Sequence, residues 1–509
     1  MKVSKELIIA AAGSGKTREL INRIVNATYL CKDKLIVVIT YTNAASEEII
    51  ERLQKVISIP GNVFIGTIHS FLLTYLLKPY AETMGFVQDD IMINNIEIKQ
   101  KSNEEKSKYM VRKNILIKAL SEKGILTYDY IITLSKKLLK EYIVKERFCN
   151  RIGYIFLDEF QDTSNSQFEI IETIRRSKKS NIILVGDPEQ KIMSFQDKSK
   201  KKDKNGNIKI HPIVSLQDKS TYKIIKKDEN YRSSETIVDF INNFHSSIHQ
   251  KYRCYDIKSK NEILFINKND ISGIVNKFNE LCLDENYCLN KPKKRFFLSY
   301  ENNTFDELNM GSNYGDSDYS KYLLLTMNLI LKIYNYKKKE FLELYGITVV
   351  DFREVAIKLL NKFIKNINEK SKWEEYIEYY FGDIESNSRE ENFDDVNRIK
   401  IIDDYYKKLH ELLKVDINNP NSEENDLCMT IHKSKGLQAD AVLVLAKDIN
   451  ELSKWLECDP EKRLEDTTDT CRLGYVAFSR AREFLCIACM ESIDEEIKSK
   501  LKSLKVTIV

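Results

Sequence analysis

Ile155-Phe156-Leu157-Asp158-Glu159-Phe160-Gln161-Asp162 is an apolar run that stops on three carboxylates and an amide. An uninterrupted apolar strand of this kind is buried on both faces, as in the parallel sheet of an α/β protein. Its carboxyl end lies at the sheet edge where such folds hold ligands. Asp158 is placed there to hold a Mg²⁺ ion that bridges nucleotide phosphates, and Glu159 to orient and deprotonate an attacking water. Gln161 is uncharged and can approach a γ-phosphate without repulsion. Taken alone, the stretch also reads as a strand followed by an acidic surface turn.

Ala10-Ala11-Ala12-Gly13-Ser14-Gly15-Lys16-Thr17 decides between these readings. The apolar run Leu7 to Ile9 feeds a loop of small residues, and a helical pattern starts at Arg18. Small residues let backbone N–H groups converge on phosphates, and the following helix N-terminus adds partial positive charge. Lys16 is placed to reach the β- and γ-phosphates and Thr17 to ligate Mg²⁺. The strict pattern has Gly where Ala10 stands, so the loop is a variant. Together the two stretches predict nucleoside triphosphate hydrolysis.

The 509 residues suffice for three or four domains, at about 150 residues each. A hydrophobic content of 42% supplies cores, and 7 Pro and 16 Gly argue against long disordered tracts. Charged residues make up 31% yet nearly cancel to +4, so any nucleic-acid surface must be a local patch. No stretch approaches the ~18 consecutive apolar residues of a membrane span, and no signal-peptide core follows Met1-Lys2-Val3-Ser4-Lys5. A cytoplasmic protein without membrane contact is expected. The 10 cysteines lack paired spacing and read as reduced thiols, with Cys486-Ile-Ala-Cys489 as core rather than a metal or redox site.

Strands and helices alternate from Leu7 to about Leu77 and again from Arg151 to about Asp228, which predicts a parallel sheet with helices on both faces. The strands are Leu35 to Thr40, Val63 to Gly66, Tyr154 to Leu157 and Asn181 to Gly186. A second α/β unit is expected from Lys223 to about Leu308 and from Asn425 onward, with strands at Glu262 to Ile266, Arg295 to Leu298 and Ala441 to Leu445. Charged, helically periodic insertions interrupt both units. Asn313 to Ser320 and Asn418 to Asn425 read as linkers, and Lys198 to Asn207 as a solvated Lys-rich loop.

Further polar residues end apolar strands: Val185-Gly186-Asp187-Pro188-Glu189-Gln190, Asp228-Glu229-Asn230-Tyr231-Arg232-Ser233, Thr430-Ile431-His432-Lys433-Ser434-Lys435-Gly436-Leu437 and Tyr475-Val476-Ala477-Phe478-Ser479-Arg480-Ala481-Arg482, the last placing two arginines on a helix. With Tyr41-Thr42-Asn43-Ala44-Ala45 and Gly66-Thr67-Ile68-His69-Ser70-Phe71, these motifs stand in an order that resembles the superfamily 1 DNA helicases of the UvrD/Rep/PcrA type.

The resemblance implies two RecA-like α/β domains, 1A over 1–78 and 146–222 and 2A over 223–308 and 425–509. It implies a helical insertion 1B over 79–145 and a reduced insertion 2B over 309–424. It also implies an ATP-dependent 3′–5′ helicase or translocase that acts on single-stranded or partly duplex DNA with Mg²⁺. Glu159, Gln190, Arg232 and Arg480 would be catalytic, and Thr17 and Asp158 would hold the metal. Ala10, Ala11, Ala12, Gly13, Ser14, Gly15, Lys16, Thr17, Asp158, Tyr231 and Gln438 would bind ATP. Thr42, Asn43, Thr67, His69, Phe195 and His432 would contact DNA.

The chain departs from the family pattern in several places. No Gln precedes Ala10 to read adenine, Met193 stands at one stacking position of the motif Lys191 to Gln196, and Gln438 replaces a Glu. The interval from Arg232 to Gly436 is short for the family, and little chain follows Arg482 for a nuclease domain. In size and layout the chain resembles the helicase-like subunit of the Gabija anti-phage system, which implies an OLD-type endonuclease partner. A stand-alone repair helicase and a non-enzymatic scaffold that senses nucleotide or DNA are the alternatives.

Overall fold

The computed structural model describes residues 3–509 apart from 88–90, 94–97, 99, 102–103, 194–209, 255–261, 286, 289–290, 302–303, 306–316, 348, 367–368, 383–394, 418–424 and 467. The chain divides into two compact units, residues 1–292, 297–301 and 430–509 in one and 293–296 and 302–429 in the other. No described helix is long and apolar enough to cross a membrane.

The first unit begins with β1 (Lys5–Ala10), β2 (Leu35–Thr40) and β3 (Val63–Thr67), then a short parallel pair, β4 (Met92–Ile93) and β5 (Ile125–Leu126). It continues through β6 (Ile152–Leu157), β7 (Asn181–Gly186) and β8 (Lys223–Lys227). Apart from the β4–β5 pair these strands form one six-stranded sheet in the order β3-β2-β6-β7-β1-β8. Successive residues of each inner strand alternate between two cores. Leu7, Ile9, Val37, Ile39 and Leu157 face one, and Ile8, Ala10, Ile36, Val38 and Phe156 face the other. Burial on both faces is the reason these strands read as unbroken apolar runs.

The register brings the carboxyl ends together. Ile9 pairs with Gly186 and Ile39 with Leu157, all in parallel, so the loops after β1, β2, β6 and β7 emerge on one edge. That edge is where an open α/β sheet holds ligands.

Two findings depart from the sequence reading. The strand Lys223–Lys227, expected to open the second α/β unit, instead pairs in parallel with β1 and extends the first sheet. It is an edge strand with Lys223 and Lys226 exposed, and such a strand gives no continuous apolar signal. The insertion expected to be helical over 79–145 has helices at Lys106–Glu122 and Tyr128–Leu138, but also contains the β4–β5 pair, whose two-residue strands are too short to show a period.

Next come the parallel pair β9 (Glu229–Asn230) and β10 (Lys251–Tyr252) and a second six-stranded sheet. Its strands are β11 (Ile263–Ile266), β12 (Lys294–Ser299), β13 (Asn425–Thr430), β14 (Ala439–Ala446), β15 (Ala481–Cys489) and β16 (Val506–Ile508), in the order β13-β12-β14-β15-β11-β16. Cys486 pairs with Leu264 on one side and Leu443 on the other; it and Cys489 are buried, free thiols. Two parallel sheets flanked by helices make this an α/β fold of two RecA-like domains, as the motif order implied.

The second unit is a helical bundle with Ser317–Ile333, Lys338–Tyr345, Val349–Lys365, Trp373–Phe381 and Asp395–Ile417. Its core is aromatic: Phe363 stacks on Trp373 with centroids 4.5 Å apart, and Tyr334, Phe341, Phe352 and Phe381 pack together beside them. Of the expected linkers, 418–424 and 313–316 lie outside the described residues, whereas Ser317 to Ser320 are helical.

A buried charge cluster belongs to the first unit. Glu189, after β7, pairs with Arg463 at 2.7 Å and lies 3.8 Å from Arg472. Burial disfavours its carboxylate, but Arg463 and Arg472 outweigh it and hold the pKa down to about 2. A depressed carboxyl stabilises the fold above its ordinary value of 4.5 and loses that contribution as pH falls from there toward 2. Removing one partner of such a pair strands the other charge in the interior. Arg463→Met is therefore expected to destabilise the first unit by about 3–5 kcal/mol, read as a fall in Tm. Adding Glu189→Gln should recover part of the loss, and equal Tm values for the wild type and Arg463→Met would refute the assignment.

Candidate nucleotide and nucleic-acid site

β1 ends at Ala10, and the helix Lys16–Leu30 begins after a loop in which Gly13 and Gly15 have φ of 75° and 74°. The left-handed backbone and a close approach both require glycine at 13, since a Cβ there would lie 2.6 Å from Asn230 Oδ1. The helix starts two residues before the expected Arg18, with Gly15 as its N-cap. Leu20, Ile21, Ile24, Ala27 and Thr28 form its buried face.

The loop is gripped from beyond the first sheet. The Ala12 N–H donates to the Tyr475 hydroxyl at 3.2 Å, and the Ala12 carbonyl accepts from Asn230 Nδ2 at 3.1 Å and Gln250 Nε2 at 2.7 Å. The Gly13 carbonyl accepts from the Tyr231 N–H at 2.9 Å. Ser14 Oγ is buried without a hydrogen-bond partner among the described residues.

Lys16 forms an ion pair with Glu159. Burial opposes the Lys16 charge, but Glu159 and then Asp158 outweigh it and raise its pKa. Glu159 stands just past β6 with φ 50°, a left-handed conformation costing of order 1 kcal/mol for a side-chain-bearing residue. Burial works against its carboxylate too, yet Lys16 and Lys435 hold it below the ordinary glutamate range. Burial pushes Asp158 and Asp162 up instead. Lys435 pairs with Asp162, lies 3.5 Å from Glu159 and donates to the Gln190 carbonyl at 3.1 Å. Gln161 donates to Glu159 and accepts from the Asp187 N–H at 3.0 Å.

Gln190 Nε2 donates to Asp187 at 2.7 Å, and its Oε1 accepts from Arg480 at 3.3 Å. Arg480 also donates to the carbonyls of Val476 and Leu437, and Arg232 to that of Ser479 at 2.9 Å. Burial lowers both guanidiniums, Arg232 to about 9 with Arg480 adding repulsion, and Arg480 to about 10. Among the described residues neither forms an ion pair, and Arg232 Nε has no partner at all. The expectation that Arg480 and Arg482 share a helix is corrected. The helix Thr470–Phe478 ends before them, Arg480 lies in the turn, and Arg482 enters β15 and pairs with Asp440. The apolar run Tyr475 to Phe478 continues straight into the strand, which hides the turn from a periodicity reading.

Tyr231 is 55% exposed next to the loop, with its hydroxyl on Glu229. Gln438 is exposed, one residue past Leu437. Thr42 and Thr67 cap the helices Asn43–Gln54 and Ile68–Leu72. Both line a cleft of about 740 Å³ together with His69, Asp158, Glu159 and Met193. Asn43 is exposed at the start of its helix, and His432 packs against Tyr300 at 5.9 Å. Phe195 lies outside the described residues.

A divalent cation fits the donors present. The Asp158 carboxylate is buried with no ion-pair partner among the described residues, and Thr17 follows Lys16, whose charge acts on Asp158, in the first turn of its helix. No cluster of three or more His, Cys, Asp or Glu among the described residues could hold a metal by itself. Four residues given no role from sequence bind the site: Asn230, Lys435 and Tyr475 inside quoted motifs, and Gln250, which lies in a stretch without a motif.

The family model for the UvrD/REP helicase N-terminal domain matches residues 2–105 and 86–203. The ATP-dependent DNA helicase Rep of Buchnera aphidicola (subspecies Acyrthosiphon pisum) is 31% identical over 280 residues, 46% of this chain and 42% of that protein. Rep of Escherichia coli is 27% identical over 280 residues, 46% and 40% of the two chains. The helicase PcrA of Staphylococcus aureus is 27% identical over 285 residues, 46% and 37%. The chain thus spans about two fifths of the length of these relatives. Residues 2–203 thus match the UvrD/REP helicase N-terminal domain, and the chain is similar to helicases of the UvrD/Rep/PcrA type.

Proposed function

We propose that the chain hydrolyses ATP and couples turnover to 3′–5′ movement along single-stranded DNA. The observation that carries this reading is the pair of buried guanidiniums, Arg232 and Arg480, standing beside the phosphate loop without a carboxylate partner among the described residues. Buried cations bound only to neutral acceptors are electrostatically incomplete, and a phosphoryl group completes them. Groups of this kind contribute about 10³–10⁵ in rate in related phosphoryl-transfer sites.

The loop N–H groups and Lys16 bind the phosphates. Thr17 and Asp158 would hold Mg²⁺, which when bound neutralises phosphate charge and fixes the γ-phosphoryl orientation. Glu159, kept ionised by Lys16 and Lys435, takes the proton from the attacking water. Gln190 faces the γ-phosphate from a position set by Asp187 and shared with Arg480. Tyr231 offers its exposed ring to the base, and the cleft containing Thr42, Thr67 and His69 takes the single strand.

We extend the proposal to an assembly with a nuclease subunit, an OLD-type endonuclease as in Gabija-like antiviral defence. Supporting it, the helix Lys106–Glu122 exposes Val111 (60%), Ile115 (63%) and Leu116 (41%), an apolar stripe suited to a protein partner. A stand-alone repair helicase or a nucleotide-sensing scaffold is separated from this reading by the measurements below.

Glu159→Gln should keep nucleotide binding and abolish steady-state ATP turnover, while Lys16→Ala should lose both. Normal hydrolysis by Glu159→Gln would overturn the assignment of the base. Because the net charge is only +4, DNA affinity should reside in a local groove, fall steeply with salt and favour single strands over blunt duplex. Equal anisotropy titrations for both at matched salt would exclude that groove. Tagged protein purified from its native host should bring down a nuclease, and Val111→Glu with Ile115→Glu should release it without changing ATP turnover. Recovery of a lone chain that unwinds long duplexes would favour the repair reading.

A further inference from the structure

We propose that His245 is a positioning residue for ATP hydrolysis, acting through Asp187 on Gln190 and Tyr475. The inference rests on the reading of this site as an ATPase. The His245 side chain is fully buried. Its Nδ1 faces the N–H groups of Ser247 at 3.2 Å and Ile248 at 3.1 Å, so it accepts from both. The ring proton therefore sits on Nε2, which donates to Asp187 Oδ1 at 3.1 Å. The hydrogen bond made by one ring nitrogen sets the role of the other.

Asp187 distributes that constraint. Its Oδ1 also accepts from the Glu189 N–H at 3.0 Å. Its Oδ2 accepts from Gln190 Nε2 at 2.7 Å and from the Tyr475 hydroxyl at 3.4 Å. Tyr475 accepts in turn from the Ala12 N–H of the phosphate loop, and Gln190 from Arg480. One carboxylate thus orients the amide that faces the γ-phosphate, an arginine and a loop peptide. The His245 donor adds a second bond on Oδ1, so the carboxylate plane is held against rotation that would release Oδ2 from Gln190. The Tyr475 ring packs edge-on to the imidazole at 5.4 Å, so the same ring also fixes where the hydroxyl points. Buried polar networks of this kind are strongly coupled, and a displacement of about 1 Å in a reacting group costs about 100-fold in rate.

Two substitutions separate the two jobs of the ring. In His245→Asn the amide oxygen takes the place of Nδ1 and keeps the turn at Ser247 and Ile248, but the donor to Asp187 is lost. In His245→Gln the amide nitrogen takes the place of Nε2 and keeps that donor. Steady-state ATPase with single-stranded DNA, affinity for a fluorescent ATP analogue and Tm are measured on the full chain. His245→Asn is expected to lower kcat by about 10–100-fold with KM, nucleotide affinity and Tm near wild type. His245→Gln is expected to restore most of kcat. Wild-type kcat in His245→Asn overturns the proposal, as does a parallel loss of kcat and Tm in both variants. A Lys16→Ala variant as active as wild type overturns instead the reading of the site on which the proposal rests.

Discussion

The backbone of Ala12, in the loop after β1, is the point on which long-range hydrogen bonds of the first unit converge. Its N–H is bound to Tyr475 and its carbonyl to Asn230 and Gln250, so the two successive amide planes that meet at its Cα are each held by residues more than 200 positions away. A loop of small residues has little rigidity of its own, because glycine and alanine restrict few backbone states. Asn230 reinforces the arrangement by accepting with Oδ1 from the N–H groups of Arg232 and Ser233, a local turn that aims the Arg232 side chain. The shape of the phosphate loop and the placement of an arginine are therefore one structural fact.

The charges around that loop divide into two kinds. Lys16, Lys435, Glu159 and Asp162 neutralise one another within the protein. Arg232 and Arg480 are bound by carbonyls and an amide, and burial depresses both. Glu159 and Lys435 each have two partners in this group, so the four charges form one connected chain. The second forms no ion pair among the described residues, and under the proposed reading it is the part of the site that an arriving phosphoryl group would complete.

The strand ends that gather at one sheet edge were legible because buried parallel strands are unbroken apolar runs, and a carboxylate or amide at their end stands out. Asp158, Glu159 and Gln190 were singled out that way, and Lys16 by the small-residue loop before it. Arg480 was found by its motif but placed on the wrong kind of element, since helix and strand meet there without a polar break. β8 was assigned to the other sheet because an edge strand with exposed lysines lacks the two-faced burial that marks its neighbours. Gln250 and His245 were invisible. Each is a polar residue in an irregular segment after the helix Glu235–Asn242, and its partner is fixed only when distant strands close the sheets.

Edge strands carry a hazard that the interior of a sheet does not. β8 leaves one row of backbone N–H and C=O groups without a neighbouring strand in its sheet, a template on which another extended chain could crystallise into a growing ribbon. Lys223 and Lys226 are exposed along this row, so a second copy adding in register would set ammonium beside ammonium. The repulsion is paid only by the intermolecular stack and never by the native fold, where Lys227 is matched by Glu19 and Lys226 reaches the Ser247 carbonyl. Newly made chains are thereby discouraged from polymerising along β8.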